Sequence, residues 1–319
     1  MEKFIEILRR FPGIFLFIFA PLFGLILSLN MSLEGLASIP NLIYLVFPIG
    51  FGALLCREAS VRWKSGTRGL IFLALAFGIF ITMLVNRSVF IGEYAVDDAE
   101  LIAYDYIWNI NWSQLTHLVF YSAFLGVLVP VKFTEILAGS RAAEPWLNKP
   151  VIGIAVGSLA GILTISLFQP ELDSPPMPVA ISGVIVLALI ALAIFLKKNE
   201  TEPAEIPVKK YVPAFFLGLL STVFPGIFII FMTGILYGPV NFLITAAMEL
   251  LVFFLVMKGT GGLINCSKLS IFYFICGTVI LSLVLLPLFG PYNIIIAVVF
   301  FILFFLVHTQ IKNEEKQSL

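Results

Sequence analysis

The sequence predicts an all-α fold: a polytopic transmembrane bundle of about ten helices, with both termini on the cytoplasmic side. Three observations lead there. The first is composition. Of 319 residues, 60% are hydrophobic and 12% charged, with a mean hydropathy of +1.07, whereas about 25% of residues are charged in soluble domains. The second is continuity. The apolar stretches run for about 20 residues, the length a helix needs to cross the hydrocarbon core, and lack the apolar/polar alternation of barrel strands. The third is charge. Threading the segments back and forth puts 18 of the 19 Lys and Arg residues on one side, the bias that marks cytoplasmic loops.

The segments follow in order. Lys3, Arg9 and Arg10 precede 11–30, whose apolar run to Leu29 outlasts a signal-peptide core and is followed by no A-x-A site, so a retained span is expected. Segments 38–56 and 69–86 bracket Arg57, Arg62, Lys64 and Arg68. An outer segment, 87–112, then sets Glu93, Asp97, Asp98, Glu100 and Asp105 against the single Arg87, among Tyr94, Tyr104, Tyr106, Trp108 and Trp112. It is expected to include a short surface helix. It reads either as a cation-attracting lid or as a solvated connector with an interfacial aromatic anchor. Segment 113–134 ends just after Lys132, Arg141 and Lys149 lie between it and 151–169, and 178–196 leads to the charged stretch 197–210 with Lys197, Lys198, Lys209 and Lys210. Segments 211–234 and 239–257 come next, then Lys258 and Lys268, then 269–289 and 291–309, and finally Lys312 and Lys316. The organisation is a six-span region over 1–196, a cytoplasmic linker over 197–210 and a four-span region over 211–319. Pro21 and Pro225 are each expected to kink their helix. Cys56, Cys266 and Cys276 lack metal-type spacing and read as small buried hydrophobes.

Ionisable side chains inside a bilayer cost several kcal/mol and point to function by default. Glu249 is the sharpest, alone in an apolar run roughly 15 Å below the outer end of its span. It reads either as a proton relay or cation ligand, or as a neutral acid bonded to Thr245 one turn back or to Ser221, Thr222 or Thr278 at similar depth. His117 enters its span at a depth of roughly 6 Å, so direct contact between His117 and Glu249 is not expected. His308 reads as interfacial. At the inner edge, Lys132 and Glu135 can pair at i, i+3. With Arg57 and Glu58 they suggest a charge cluster joining two spans by snorkelling and salt-bridged packing. P-loop, dinucleotide-binding, zinc-protease, nucleophile-elbow and potassium-filter patterns are all absent.

Gly52 through Glu58, Arg62-Trp63, Gly66, Leu75-Ala76-Phe77-Gly78, Ser88, His117, Glu135 and Glu144-Pro145-Trp146-Leu147 form an ordered set over roughly residues 40–150. That order resembles a family of bacterial and archaeal multi-pass membrane proteins of uncharacterised activity, itself distantly similar to the CPBP (CAAX-processing) intramembrane proteases. The resemblance implies paired glutamates three residues beyond the glycine of the Leu-Ala-Tyr/Phe-Gly motif, which with a downstream histidine could activate a metal-bound water. This chain has Ile81 and Thr82 there and His117 downstream. A divergent member without protease activity is therefore expected, with no metal and no cofactor.

The expected function is a small-solute transporter or permease in the cell membrane, coupled to protons or cations through Glu249. The alternative is a non-catalytic scaffold or sensor acting through the acidic outer segment. The lipid bilayer is the one partner implied; a nucleic-acid partner is not expected, and the sequence does not speak to oligomeric state.

Overall fold

A computed structural model describes residues 2–26, 38–87, 89–90, 106–107, 110–168, 175–196, 211–232, 239–259, 267–289 and 293–317. The five acidic residues of the outer segment, the linker 197–210 and Cys266 lie outside them. A short amphipathic α1 (Glu2–Arg10) precedes α2 (Pro12–Pro21), which a π-helical turn extends over Leu22–Ile26. Then come α3 (Ile39–Arg62), α4 (Gly66–Asn86), α5 (Trp112–Ala143), α6 (Lys149–Leu167) and α7 (Pro176–Phe195). The series ends with α8 (Tyr211–Met232), α9 (Pro239–Gly259), α10 (Lys268–Leu288) and α11 (Asn293–Gln317). Seven of these helices (α3 to α7, α10 and α11) are long and apolar enough to cross a bilayer, and three shorter apolar stretches lie within α2, α8 and α9. Just before α5, β1 (Tyr106–Ile107) and β2 (Ile110–Asn111) form a two-residue antiparallel ladder pairing Tyr106 with Asn111. It is the sole strand pairing among the described residues.

Several helices run past the apolar segments read from the sequence. The second apolar segment closes at Cys56, but α3 continues to Arg62, so Arg57, Glu58 and Arg62 sit on helix rather than in a loop. Their charges are neutralised by packed partners, and nothing forces the helix to stop at the last apolar residue.

Two of the four π-helical turns have a local cause. Pro48 and Pro130 lack the N–H that would bond four residues back. Just ahead of them the ladder widens to five residues, with Phe47 N–H donating to Leu42 O and Val129 N–H to Phe124 O. Pro21 ends the regular part of α2 and the π turn Leu22–Ile26 follows at once. The fourth π turn, Phe80–Asn86, contains Ile81 and Thr82 and closes with Arg87 N–H on Thr82 O.

The core centres on α5. Phe133 meets Phe19, Phe23 and Phe304 at 5.5–5.7 Å, and Phe124 meets Phe274 edge-on at 5.9 Å, joining α2, α10 and α11. Helices α8 and α10 meet backbone to backbone at a reciprocal glycine pair. A Cβ on Gly218 would stand 2.0 Å from Phe274 O, and one on Gly277 1.9 Å from Phe215 O. Small residues permit such approach where lipid provides no hydrophobic drive. Helix α9 packs on α5 and α8, whereas α6 and α7 lie at the periphery against α3 and α4.

Candidate functional site

The Asn111 side chain caps α5 by accepting from Gln114 N–H at 2.9 Å, which satisfies one of the orphan donors of the first turn. From that start, polar residues recur every fourth position along one face: Ser113, His117 and Tyr121. Helix α9 carries a matching stripe in Asn241, Thr245 and Glu249, all buried. Residues four apart share a helix face, and the two stripes meet at His117 and Glu249. His117 Nδ1 lies 3.5 Å from Glu249 Oε1.

That approach corrects the expectation that His117 and Glu249 stay apart. The depths counted from each helix start assumed that α5 and α9 begin at one level. Trp112 packs on Phe242, with ring centroids 5.4 Å apart, so α9 begins about one turn further out. Measured from that contact, the two residues differ by only two positions, or about 3 Å of rise.

The partners expected for Glu249 are engaged elsewhere. Thr245 Oγ1 donates to Asn241 Oδ1 at 3.4 Å, and Ser221 Oγ to Gly218 O at 2.6 Å. Thr222 Oγ1 donates to Thr278 O at 2.8 Å and Thr278 Oγ1 to Phe274 O at 2.9 Å. Ser221 and Thr278 bond their own helix backbone, Thr245 and Thr222 bond a side-chain amide and a neighbouring helix, and Glu249 is left to the imidazole. The His117 ring packs on the Tyr121 ring at 4.3 Å with the planes tilted by 46°, and the Tyr121 hydroxyl donates to Thr222 O at 2.9 Å. That carbonyl lies in the turn opened by Pro225, whose missing N–H leaves Ser221 O without its helix donor. Tyr121, Ser113 and Asn241 were not among the residues singled out from the sequence. Their spacing of four from His117, Glu249 and Thr245 was the available signal.

His117 Nδ1 and Glu249 Oε1 are both buried and neither makes a hydrogen bond among the described residues. Glu249 lines a cleft of 1110 Å³ between α4, α5, α7 and α9, and His117 stands behind it. Glu249 is the one ionisable residue lining it among the described residues; the rest of the wall is almost wholly apolar. The two hydroxyls there are committed to their own helices, Thr116 to Trp112 O and Ser182 to Pro178 O. The cleft therefore offers an apolar chamber with one acid, which an imidazole approaches from α5. A third group, such as a proton or a ligand donor, can satisfy both orphaned atoms. Among the described residues no group of three His, Cys, Asp or Glu side chains could hold a metal ion.

The inner-edge residues form a second polar centre. Arg57 is fully buried, so the snorkelling expected for it does not occur. Its guanidinium stacks on Trp146 at 3.5 Å, donates to Ala142 O at 2.7 Å, and reaches Glu58 at 3.5 Å and Glu135 at 3.9 Å. Glu58 also accepts from Trp146 N–H and Arg62 Nε, while Lys132 pairs with Glu135 at 2.9 Å and Thr67 at 3.1 Å. Arg57 stays inside because the segment 139–147 folds over it and supplies the carbonyl and ring that water would otherwise replace. Arg141 extends the network to the carbonyls of Arg9 and Arg10, and Glu314 ties Arg9 to Lys268. The ends of α1 and α11 therefore lie at one end of the bundle.

Seven helices able to cross a bilayer, built around buried polar pairs, are compatible with the class of helical integral membrane proteins. Within that class no family model, no curated protein and no solved structure matches this chain.

Proposed function

We propose that this chain is a ten-span cell-membrane permease for a small, largely apolar solute, with both termini in the cytoplasm and with transport coupled to protonation of the His117–Glu249 pair. The observation that carries the reading is Glu249 at the wall of an otherwise apolar cleft, its Oε1 orphaned and 3.5 Å from His117 Nδ1. Ionisable groups inside the membrane mark substrate and proton paths, and binding sites for small molecules combine apolar walls with a few convergent polar groups. The stripes Ser113–His117 and Asn241–Thr245–Glu249 would lead protons in from the outer end. The three stretches within α2, α8 and α9 complete the ten spans, and the shared inner end of α1 and α11 suits termini on one side. The likeness to the CPBP proteases adds no hydrolytic role to this reading, because Ile81 and Thr82 supply neither a base nor a ligand.

Cysteine placed at position 249 in a Cys-free background tests it. A membrane-impermeant thiol reagent is expected to label that residue from the outer side, since a solute path must be wet in at least one state. Absence of labelling from either side, in a variant that keeps its helix content, would mean a sealed bundle and would overturn the permease reading.

A further inference from the structure

A second cavity, of 720 Å³, lies on the other face of α4 and is separate from the His117–Glu249 cleft. It is a groove between the two peripheral helices: α6 packs on α3 and α4, α7 packs on α4, and the space between them is open. Its lips are exposed apolar residues, Val156 at 51% and Leu187 at 67%, so it faces the surroundings of the bundle rather than its core. The floor is apolar, while the inner mouth is not. Glu58, Arg62 and Trp63 line it there, with Lys64 exposed on the turn that follows and Arg68 exposed in the first turn of α4.

The charge at that mouth is positive. The Glu58 carboxylate is consumed by Arg57, Arg62 and the backbone N–H groups of Trp146 and Leu147. Arg62 spends one donor on Glu58 and one on Leu147 O, and its side chain remains 38% exposed. Its remaining N–H groups, with Lys64 and Arg68, are free to meet an anion, and Trp63 stands where aromatic residues settle at a headgroup level.

The length matches one lipid. Arg62 bonds Leu147, next to the start of α6 at Lys149, and the groove reaches Leu163 on that helix. Those fourteen residues rise about 21 Å. One leaflet, taken through its headgroups, is half of 40–45 Å, or about 20–22 Å. We infer that this groove is a binding site for an anionic phospholipid of the inner leaflet, its phosphate held by Arg62, Lys64 and Arg68 and an acyl chain laid between α6 and α7.

Two variants separate head from chain without touching the Glu58 network. Lys64→Gln/Arg68→Gln removes two exposed charges. Gly183→Phe fills the groove from α7, where a Cβ meets nothing within 4 Å. The purified protein is incubated with equal dioleoylphosphatidylglycerol and dioleoylphosphatidylcholine, and retained lipids are counted by native mass spectrometry. The wild type is expected to keep one phosphatidylglycerol in preference. The charge variant should lose about 30-fold of that preference, given roughly 1 kcal/mol for each basic residue at an anionic surface. Gly183→Phe should lose the retained lipid altogether. Equal retention of both lipids by the wild type overturns the site, as does a preference that survives the charge variant or retention that survives groove filling. A dimer that Gly183→Phe dissociates would assign the groove to a second copy and equally overturn it. Circular dichroism establishes the fold of each variant, and the wild-type comparison decides the matter if either one fails to fold.

Discussion

His117 Nδ1 and Glu249 Oε1 stand 3.5 Å apart, buried and without other hydrogen-bond partners among the described residues, on two helices whose sequences lie more than a hundred residues apart. An unsatisfied buried polar atom costs about 1–3 kcal/mol, so the pair is held in place by the packing around it, including the Tyr121 ring against His117.

Coupling between the two residues is open to measurement by a double-mutant cycle. Glu249→Gln keeps the shape and removes the ionisable group, and is expected to leave the thermal midpoint unchanged or higher. His117→Ala leaves the carboxyl alone and is expected to cost about 1–3 kcal/mol. In the double variant the loss should fall short of the sum by about 1 kcal/mol. Strict additivity in detergent-solubilised protein would show that the contact carries no energy.

Arg57 gives a prediction of larger size. Removing one partner from a buried charge network costs about 3–5 kcal/mol, so Arg57→Ala should lower the unfolding temperature sharply. Arg57→Lys should not restore it. A lysine cannot stack flat on Trp146 while donating to Ala142 O and facing two carboxylates. Full rescue by lysine would mean that charge alone matters at this position.

The glycine contact between α8 and α10 predicts intolerance of even one methyl group. At Gly218→Ala the new Cβ would meet the Phe274 carbonyl at 2.0 Å, and the helices must separate at a cost of about 1–3 kcal/mol. Gly153→Ala, where a Cβ meets nothing, is the control and should be neutral or slightly stabilising. Equal stability of the two variants would refute the close approach.

Topology is testable with single cysteines. Residues introduced at Lys64, Glu144 and Lys312 are expected to react only with reagent on the cytoplasmic side in intact cells, and one at the exposed Met177 only from outside. Labelling of Lys64→Cys and Lys312→Cys from opposite sides would break the even number of spans.

Much of the helical order was legible in the sequence. The apolar segments 69–86, 151–169 and 178–196 differ by three residues or fewer at either end from α4, α6 and α7, because hydropathy is local and a helix satisfies its own backbone. Where a segment ran on, as α3 does to Arg62, the reason was tertiary: segment 139–147 covers Arg57 and makes its burial affordable. Glu249 could be singled out because a carboxyl in an apolar run is conspicuous. Its partner could not, because depth counted along each helix says nothing of how far one helix is shifted against the next.

The sequence by itself determined that the chain is helical and apolar over bilayer lengths, that its cations are sorted to one side of the threading, and that Glu249 is its exceptional charge. Those properties follow from composition and period, which each segment carries alone. Only the tertiary structure decided that Glu249 meets His117 rather than a threonine, that Arg57 lies under Trp146, and that α6 and α7 stand apart over a groove. Those depend on the register between helices, set by contacts such as Trp112 on Phe242 and Gly218 on the Phe274 backbone, and a shift of a single turn would move every one of those pairs out of reach.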